Sequence, residues 1–201
     1  MNRPVTIYAE MTPNPNTMKF VADHMLVPSG TVVEFLNIQE AKGYSKLAES
    51  LFNFPFVTGV FIANNFVTVY KNNIVEWSEI TMELREFIKD WLIHNELAVQ
   101  NIPETINFQA SDKSDLSAPV IKTETDQKIV DLINEYVQPA VEQDGGAIHF
   151  QSFNKENGLV IVVLKGSCSG CPSSTATLKG GVETLLKTHL PEINEVVALN
   201  G

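Results

Sequence analysis

Cysteine is scarce in this sequence: the 201 residues hold two, Cys168 and Cys171, spaced Cys-x-x-Cys. That number excludes a disulfide-knit scaffold, and in an acidic chain a close pair points to metal or redox chemistry. Long apolar runs are missing as well; no stretch approaches the ~20 residues that a membrane span needs. Neither a signal-peptide apolar region nor an Arg- and Ser-rich leader follows Met1-Asn2-Arg3-Pro4, so a cytoplasmic address is expected. Positive charge is also in short supply. Residues 1–122 carry 9 basic and 14 acidic side chains, residues 123–201 carry 5 and 10, and the net charge is -10. No basic patch is available to neutralise phosphates, so neither nucleic acid nor membrane is expected as a partner. An acid/base dyad, a Ser/His arrangement and a phosphate-cradling glycine loop are all lacking, and the chain is not expected to be an enzyme.

What is present is an ordinary globular composition, 44% hydrophobic and 8% aromatic, sufficient for one large core or two small ones. The first 99 residues pattern as an α+β domain. Residues 5–10, 18–25 and 31–36 form strands, separated by the turn clusters Thr12-Pro13-Asn14-Pro15-Asn16 and Pro28-Ser29-Gly30. Residues 45–52 form a short helix with Ser45 as its cap. Residues 57–63 and 66–71 form a hairpin around Asn64-Asn65, since asparagine tolerates the left-handed conformation of a tight turn. The longest helix opens at Ser78, and Ile80, Leu84, Phe87, Ile88, Trp91 and Leu92 make the stripe that covers the sheet.

Residues 100–123 are small, polar and aperiodic, the texture of a flexible linker. A second α+β domain, residues 124–201, follows in the order α-β-β-α-β. Ile129, Leu132, Ile133, Tyr136, Val137 and Ala140 form one helical stripe, with a kink or a short second segment expected at Pro139. Gly145-Gly146 caps that helix. Residues 147–153 and 159–164 make a hairpin, the second strand apolar enough to be buried on both faces, and residues 193–199 a last strand.

The two cysteines fall in the turn between that second strand and a helix started by Pro172, Ser173 and Ser174. The uncapped N–H groups at such a helix start favour thiolate over thiol. Three chemistries suit the pair. A structural zinc site needs about four ligands. The candidates His24 and His94 belong to the other domain, while His149 on a strand and His189 at the far helix end are badly placed. All four histidines are therefore read as surface or packing residues. A thioredoxin-like dithiol also sets Cys-x-x-Cys at a helix start, but Pro172 follows the second cysteine and the upstream βαβ pattern is missing. An iron–sulfur cluster takes about four thiolates, of which one chain supplies two; a second copy completes the shell on a two-fold axis. A cluster so held lies at an exposed bend in an interface that can open, which suits a carrier.

The second domain resembles the NifU C-terminal (Nfu-type) domain. The resemblance rests on Val141-Glu142-Gln143-Asp144-Gly145-Gly146, on Leu164-Lys165-Gly166-Ser167-Cys168-Ser169-Gly170-Cys171-Pro172-Ser173-Ser174, and on Leu178-Lys179-Gly180-Gly181-Val182-Glu183. Residues 5–97 resemble the Nfu N-terminal domain through Thr12-Pro13-Asn14-Pro15-Asn16-Thr17-Met18-Lys19-Phe20, Leu47-Ala48-Glu49-Ser50-Leu51-Phe52, Gly59-Val60-Phe61-Ile62 and Phe66-Val67-Thr68-Val69-Tyr70-Lys71. The resemblance implies a [4Fe–4S] cluster held by Cys168 and Cys171 of each of two subunits and transferred to apo-proteins. It implies as partners a second copy of the chain, apo iron–sulfur clients and an upstream cluster donor. Lys46 stands where the family often has proline, and Asn64-Asn65 replaces a Gly-x-Asp turn. The scaffold domain and ferredoxin-like cysteines of full-length NifU are not in this sequence, so primary assembly beside a cysteine desulfurase is not expected.

Other residues have structural readings. Gly166 and Gly170 are read either as glycines that let backbone N–H groups approach cluster sulfides or as plain turn glycines. Gly180-Gly181 costs roughly 1 kcal/mol per glycine within a helix, which a close helix–sheet or subunit contact would explain. Glu79, Glu83, Glu86 and Asp90 form a solvated helix face or a client-recognition surface. An adaptor whose N-terminal domain does the binding, beside a structural metal site, is the alternative from another class.

Overall fold

The structure, a computed structural model, describes residues 4–95, 97–101, 121, 123–169 and 172–200, the side chains of 172–174 excepted. The chain divides into two units, residues 1–106 and 107–201, each with its own sheet, and both are α+β. The expected linker, residues 100–123, falls almost wholly outside the described residues.

In the first unit, apolar residues at alternate positions line one face of a five-stranded antiparallel sheet. Its strands are β1 (Ile7–Met11), β2 (Thr17–Ala22), β3 (Val32–Phe35), β4 (Val57–Ala63) and β5 (Phe66–Lys71), in the spatial order β1-β2-β5-β4-β3. The β4–β5 hairpin matches the sequence reading residue for residue, with Asn64 at φ +46°. A four-residue helix that the sequence did not reveal, α1 (Ile38–Ala41), precedes α2 (Lys46–Leu51). α3 (Trp77–His94) starts one residue before the expected Ser78, because Glu76 N–H and the Glu79 carboxylate cap it (3.2 Å). Leu47 and Leu51 of α2 join Leu84 and Ile88 of α3 against Phe20, Val60, Ile62 and Val67 of the sheet.

Ser45 ties this layer together. Its buried Oγ accepts from Ala48 N–H (3.1 Å) and donates to the Ala98 carbonyl (2.6 Å), joining the start of α2 to the chain beyond α3.

The second unit begins with α4 (Glu124–Leu132), capped by Thr123, whose Oγ1 accepts from Asp126 N–H while Asp126 Oδ2 accepts from Thr123 N–H (3.2 and 2.8 Å). The helical path continues through a π turn, Ile133–Val137, into α5 (Gln138–Gln143). Pro139 has no N–H to offer, and the widened turn just before it takes up the fault; Gln138 N–H reaches back to the Ile133 carbonyl. The extra residue also changes which side chains point inward. Ile129, Ile133, Val137 and Val141 are buried, whereas Tyr136, expected in the stripe, is 54% exposed and stacks on His189.

β6 (Gly146–Asn154) pairs antiparallel with β7 (Leu159–Gly166), and α6 (Pro172–His189) carries the chain over to β8 (Glu195–Asn200), parallel to β7. β7 is central, but Ile161 on it is only half-buried, so its burial is less complete than expected. Gln138 Oε1 accepts from Ile148 N–H (3.2 Å), which fastens α5 to the edge strand. Cys168 belongs to the same apolar cluster as Val141, Leu164, Val182 and Leu186.

Replacing Ser45 with alanine is expected to cost about 1–3 kcal/mol, a lost helix cap plus a buried carbonyl left without its donor. Urea denaturation followed by a probe in the first unit checks this.

Candidate metal centre

β7 ends at Gly166, whose φ of +70° is a conformation glycine adopts without strain. Beyond it the chain folds back in a tight turn. Ser169 N–H donates to the Gly166 carbonyl (3.0 Å), and Ser167 N–H donates to the Gly145 carbonyl (3.2 Å) at the start of β6. Thr175 Oγ1, in the first turns of α6, donates to the Cys168 carbonyl (3.3 Å). The turn is thus anchored to β6 on one side and to α6 on the other.

Gly146 is what allows this closure. A Cβ there would sit 2.6 Å from the Lys165 carbonyl oxygen, 2.9 Å from Cys168 Sγ and 3.2 Å from Cys168 N. The sequence reading gave both glycines to the helix cap. Only Gly145 takes the positive φ (+82°); Gly146 is the first residue of β6 and clears space for the thiol. The available signal was the second glycine itself, surplus to a cap and opening a strand, where glycine marks close approach of another backbone. Gly180 and Gly181 behave otherwise: both are exposed, and an added Cβ would meet nothing within 4 Å. Of the two contacts offered to explain them, helix–sheet or subunit, the helix–sheet one is not found.

Cys168 is 4% exposed, inside the apolar cluster rather than on an exposed bend. Cys171 lies outside the described residues, as does Gly170, and so do the side chains proposed to cap α6. His24 contacts Asp23 (2.8 Å), and His94 Nδ1 lies 2.7 Å from the Asp90 carbonyl. His189, at the last turn of α6, stacks on Tyr136. His149 is half-buried in β6; burial and the nearby Lys165 ammonium pull its pKa down to about 4. Among the described residues no three His, Cys, Asp or Glu side chains gather closely enough to hold a metal ion.

Two family models match the chain, "Scaffold protein Nfu/NifU N terminal" over residues 7–95 and "NifU-like domain" over residues 129–197. A NifU-like protein of Schizosaccharomyces pombe is 32% identical over 97% of this chain and 73% of its own length. The chain belongs to the Nfu/NifU family. Among other relatives, NifU-like protein 4, mitochondrial, of Arabidopsis thaliana is 32% identical over 96% of this chain and 66% of its own length. The NFU1 iron-sulfur cluster scaffold homolog, mitochondrial, of Drosophila willistoni is 33% identical over 96% and 63%. This Nfu-type chain therefore spans less than two thirds of the length of these two relatives, 66% and 63%.

The family corrects one expectation. A cytoplasmic address was read from the absence of a leader, but these two relatives are named mitochondrial proteins. Composition near the first residue does not report on address where relatives are longer than the chain. No described helix is long and apolar enough to cross a membrane.

Two outcomes are expected. Above the ordinary histidine pKa of about 6.5, His149 is neutral in both folded and unfolded chains and contributes nothing to pH dependence. As pH falls from about 6.5 to about 4, the unfolded chain takes up a proton that the folded one refuses, so stability declines across that window. Denaturation midpoints measured against pH should show the decline, and His149→Gln should flatten it. Separately, Gly146→Ala should destabilise by about 1–3 kcal/mol through overpacking, whereas Gly180→Ala should stabilise by roughly 0.5–1 kcal/mol. Calorimetry of the two variants compares them directly.

Proposed function

We propose that this chain is an iron–sulfur cluster carrier, in which Cys168 and Cys171 of two copies enclose a [4Fe–4S] cluster and deliver it to apo-proteins. The observation that carries the reading is the Cys168 turn: a thiol set against Gly146, where a Cβ would come within 2.9 Å of its Sγ, on a chain with half of a four-thiolate set. A cysteine thiolate is a soft donor of the kind that iron–sulfur clusters take. Relatives over nearly the whole chain bear the name of iron–sulfur cluster scaffolds, which agrees with it.

In this reading the cluster is cargo and the chain's own groups do the handling. Cys168 and Cys171 bind iron through Sγ, and Gly166 lets the backbone turn tightly enough to bring N–H groups near the sulfides. Cys168 is buried, so taking up cargo requires its Sγ to become accessible to the second copy. Two copies then share one interface, and binding of the cluster favours the dimer over separate chains. Delivery is a ligand exchange: each client thiolate that bonds to iron displaces one of these sulfurs, with no net oxidation or reduction. The first unit recognises or positions partners, and the stretch between the units serves as their linker. Nothing in this scheme requires bond-making catalysis by the protein, and it functions as a carrier rather than an enzyme.

Anaerobic reconstitution with iron and sulfide should give about one four-iron cluster per two chains, together with a doubled molecular mass. Cys168→Ala and Cys171→Ala should each lose cluster and dimer. A colourless monomer that reduces disulfides would replace this reading with a dithiol oxidoreductase, and tightly held zinc would replace it with a structural metal site. Iron and sulfide analysis beside light scattering distinguishes the three.

A further inference from the structure

The first unit carries a groove of about 330 Å³ between the end of α2 and the middle of α3, lined by Ser50, Asn53, Phe54, Phe87 and Trp91. Its floor is aromatic: Phe54 meets Phe87 edge-on, centroids 5.1 Å apart, and lies 5.5 Å from Phe56. On α3, Leu84 and Ile88 are fully buried, while Phe87 and Trp91 beside them pack against the core only in part and also line the groove. The helix has therefore filled the core and left a ridge of aromatic surface facing the groove.

On α3, the exposed charges on the solvent side of that ridge are both acidic. At 3.6 residues per turn, Trp91 lies ~40° from Phe87 toward the core, and Glu83 and Asp90 lie ~40–60° from it toward solvent. Glu83 and Asp90 are exposed, and about 10 Å apart along the helix at 1.5 Å per residue. Their neighbours are already engaged: Glu86 contacts Arg85 and Lys89 (2.7 and 3.3 Å), and Glu79 caps the helix. Among the described residues Glu83 and Asp90 make no ion pair.

We propose that this groove docks a segment of a partner protein whose apolar anchor residue is flanked by lysine or arginine. The anchor would cover the Phe87 and Trp91 faces, removing apolar area from water in a pocket with aromatic walls. The flanking cations would meet Glu83 and Asp90, which bracket Phe87 along the helix and set the direction of the bound segment. The same two carboxylates repel anionic lipid and nucleic acid, so the charge selects a protein partner. This assignment stands on the first unit alone and does not depend on the cluster reading.

The test uses the full chain, labelled with nitrogen-15, and a synthetic peptide with a leucine anchor and lysine about four residues to either side. A control peptide replaces both lysines with glutamine. The expected result is amide and indole shifts concentrated at Ser50, Asn53, Phe87 and Trp91, with the lysine peptide binding about fivefold tighter than the control. Glu83→Gln with Asp90→Asn, both exposed and outside the core, should erase that difference while leaving the fold intact. Trp91→Ala should weaken both peptides. Equal binding of the two peptides, shifts centred elsewhere, or the same shifts produced by phosphatidylserine vesicles without peptide would each overturn the assignment.

Discussion

The approach of the β6 backbone to the Cys168 sulfur is the constraint around which the second unit is arranged. Gly146 stands so near Lys165 and Cys168 that no side chain fits between strand and turn. Because β6 can come that close, Gly145 reaches Ser167 and the turn is pinned to the sheet. Because the turn is pinned, the thiol faces into the apolar cluster shared by α5, β7 and α6 rather than into solvent. Hydrogen bonds and packing thus agree on one position for Cys168, and the position is set by backbone on both sides.

Much of this was legible in the sequence. The β4–β5 hairpin could be read to the residue, because Asn64-Asn65 marks a turn that few other pairs tolerate and the flanking runs are β-branched. Ser45 as a cap, the α-β-β-α-β order of the second unit and the placing of Cys168 in the turn after β7 followed from equally local signals. What was hidden depends on tertiary space. α1 has four residues, too few to show a period. The packing role of Gly146 exists only once Lys165 and Cys168, far along the chain, are brought against it. The burial of Cys168 was hidden for the same reason: its Gly- and Ser-rich surroundings suggest an exposed bend, and only the assembled sheet and helices show the cluster that covers it.

The two units divide their chemistry unevenly. The second holds both cysteines and a sheet of three strands; the first holds a sheet of five strands, most of the aromatic residues and no cysteine. The first unit's capacity for specific contact lies in α3, where one side of the helix completes the core and the shoulder beside it stays uncovered. From sequence its acidic residues read first as a solvated helix face and only second as a recognition surface. The structure separates them, engaging Glu79 and Glu86 within the helix and leaving Glu83 and Asp90 at its rim.

The π turn before Pro139 gives the opening helix of the second unit a reading frame. Its inward residues recur every fourth position, from Ile129 to Val141, a spacing that an unbroken α-helix would rotate off the core by ~40° at each step. One surplus residue resets that phase. Removing any one residue from 133–137 would leave α4 and α5 individually sound but turn them ~100° relative to each other, so that Ile129 and Val141 could no longer face the same interior. In this segment the number of residues matters as much as their identity.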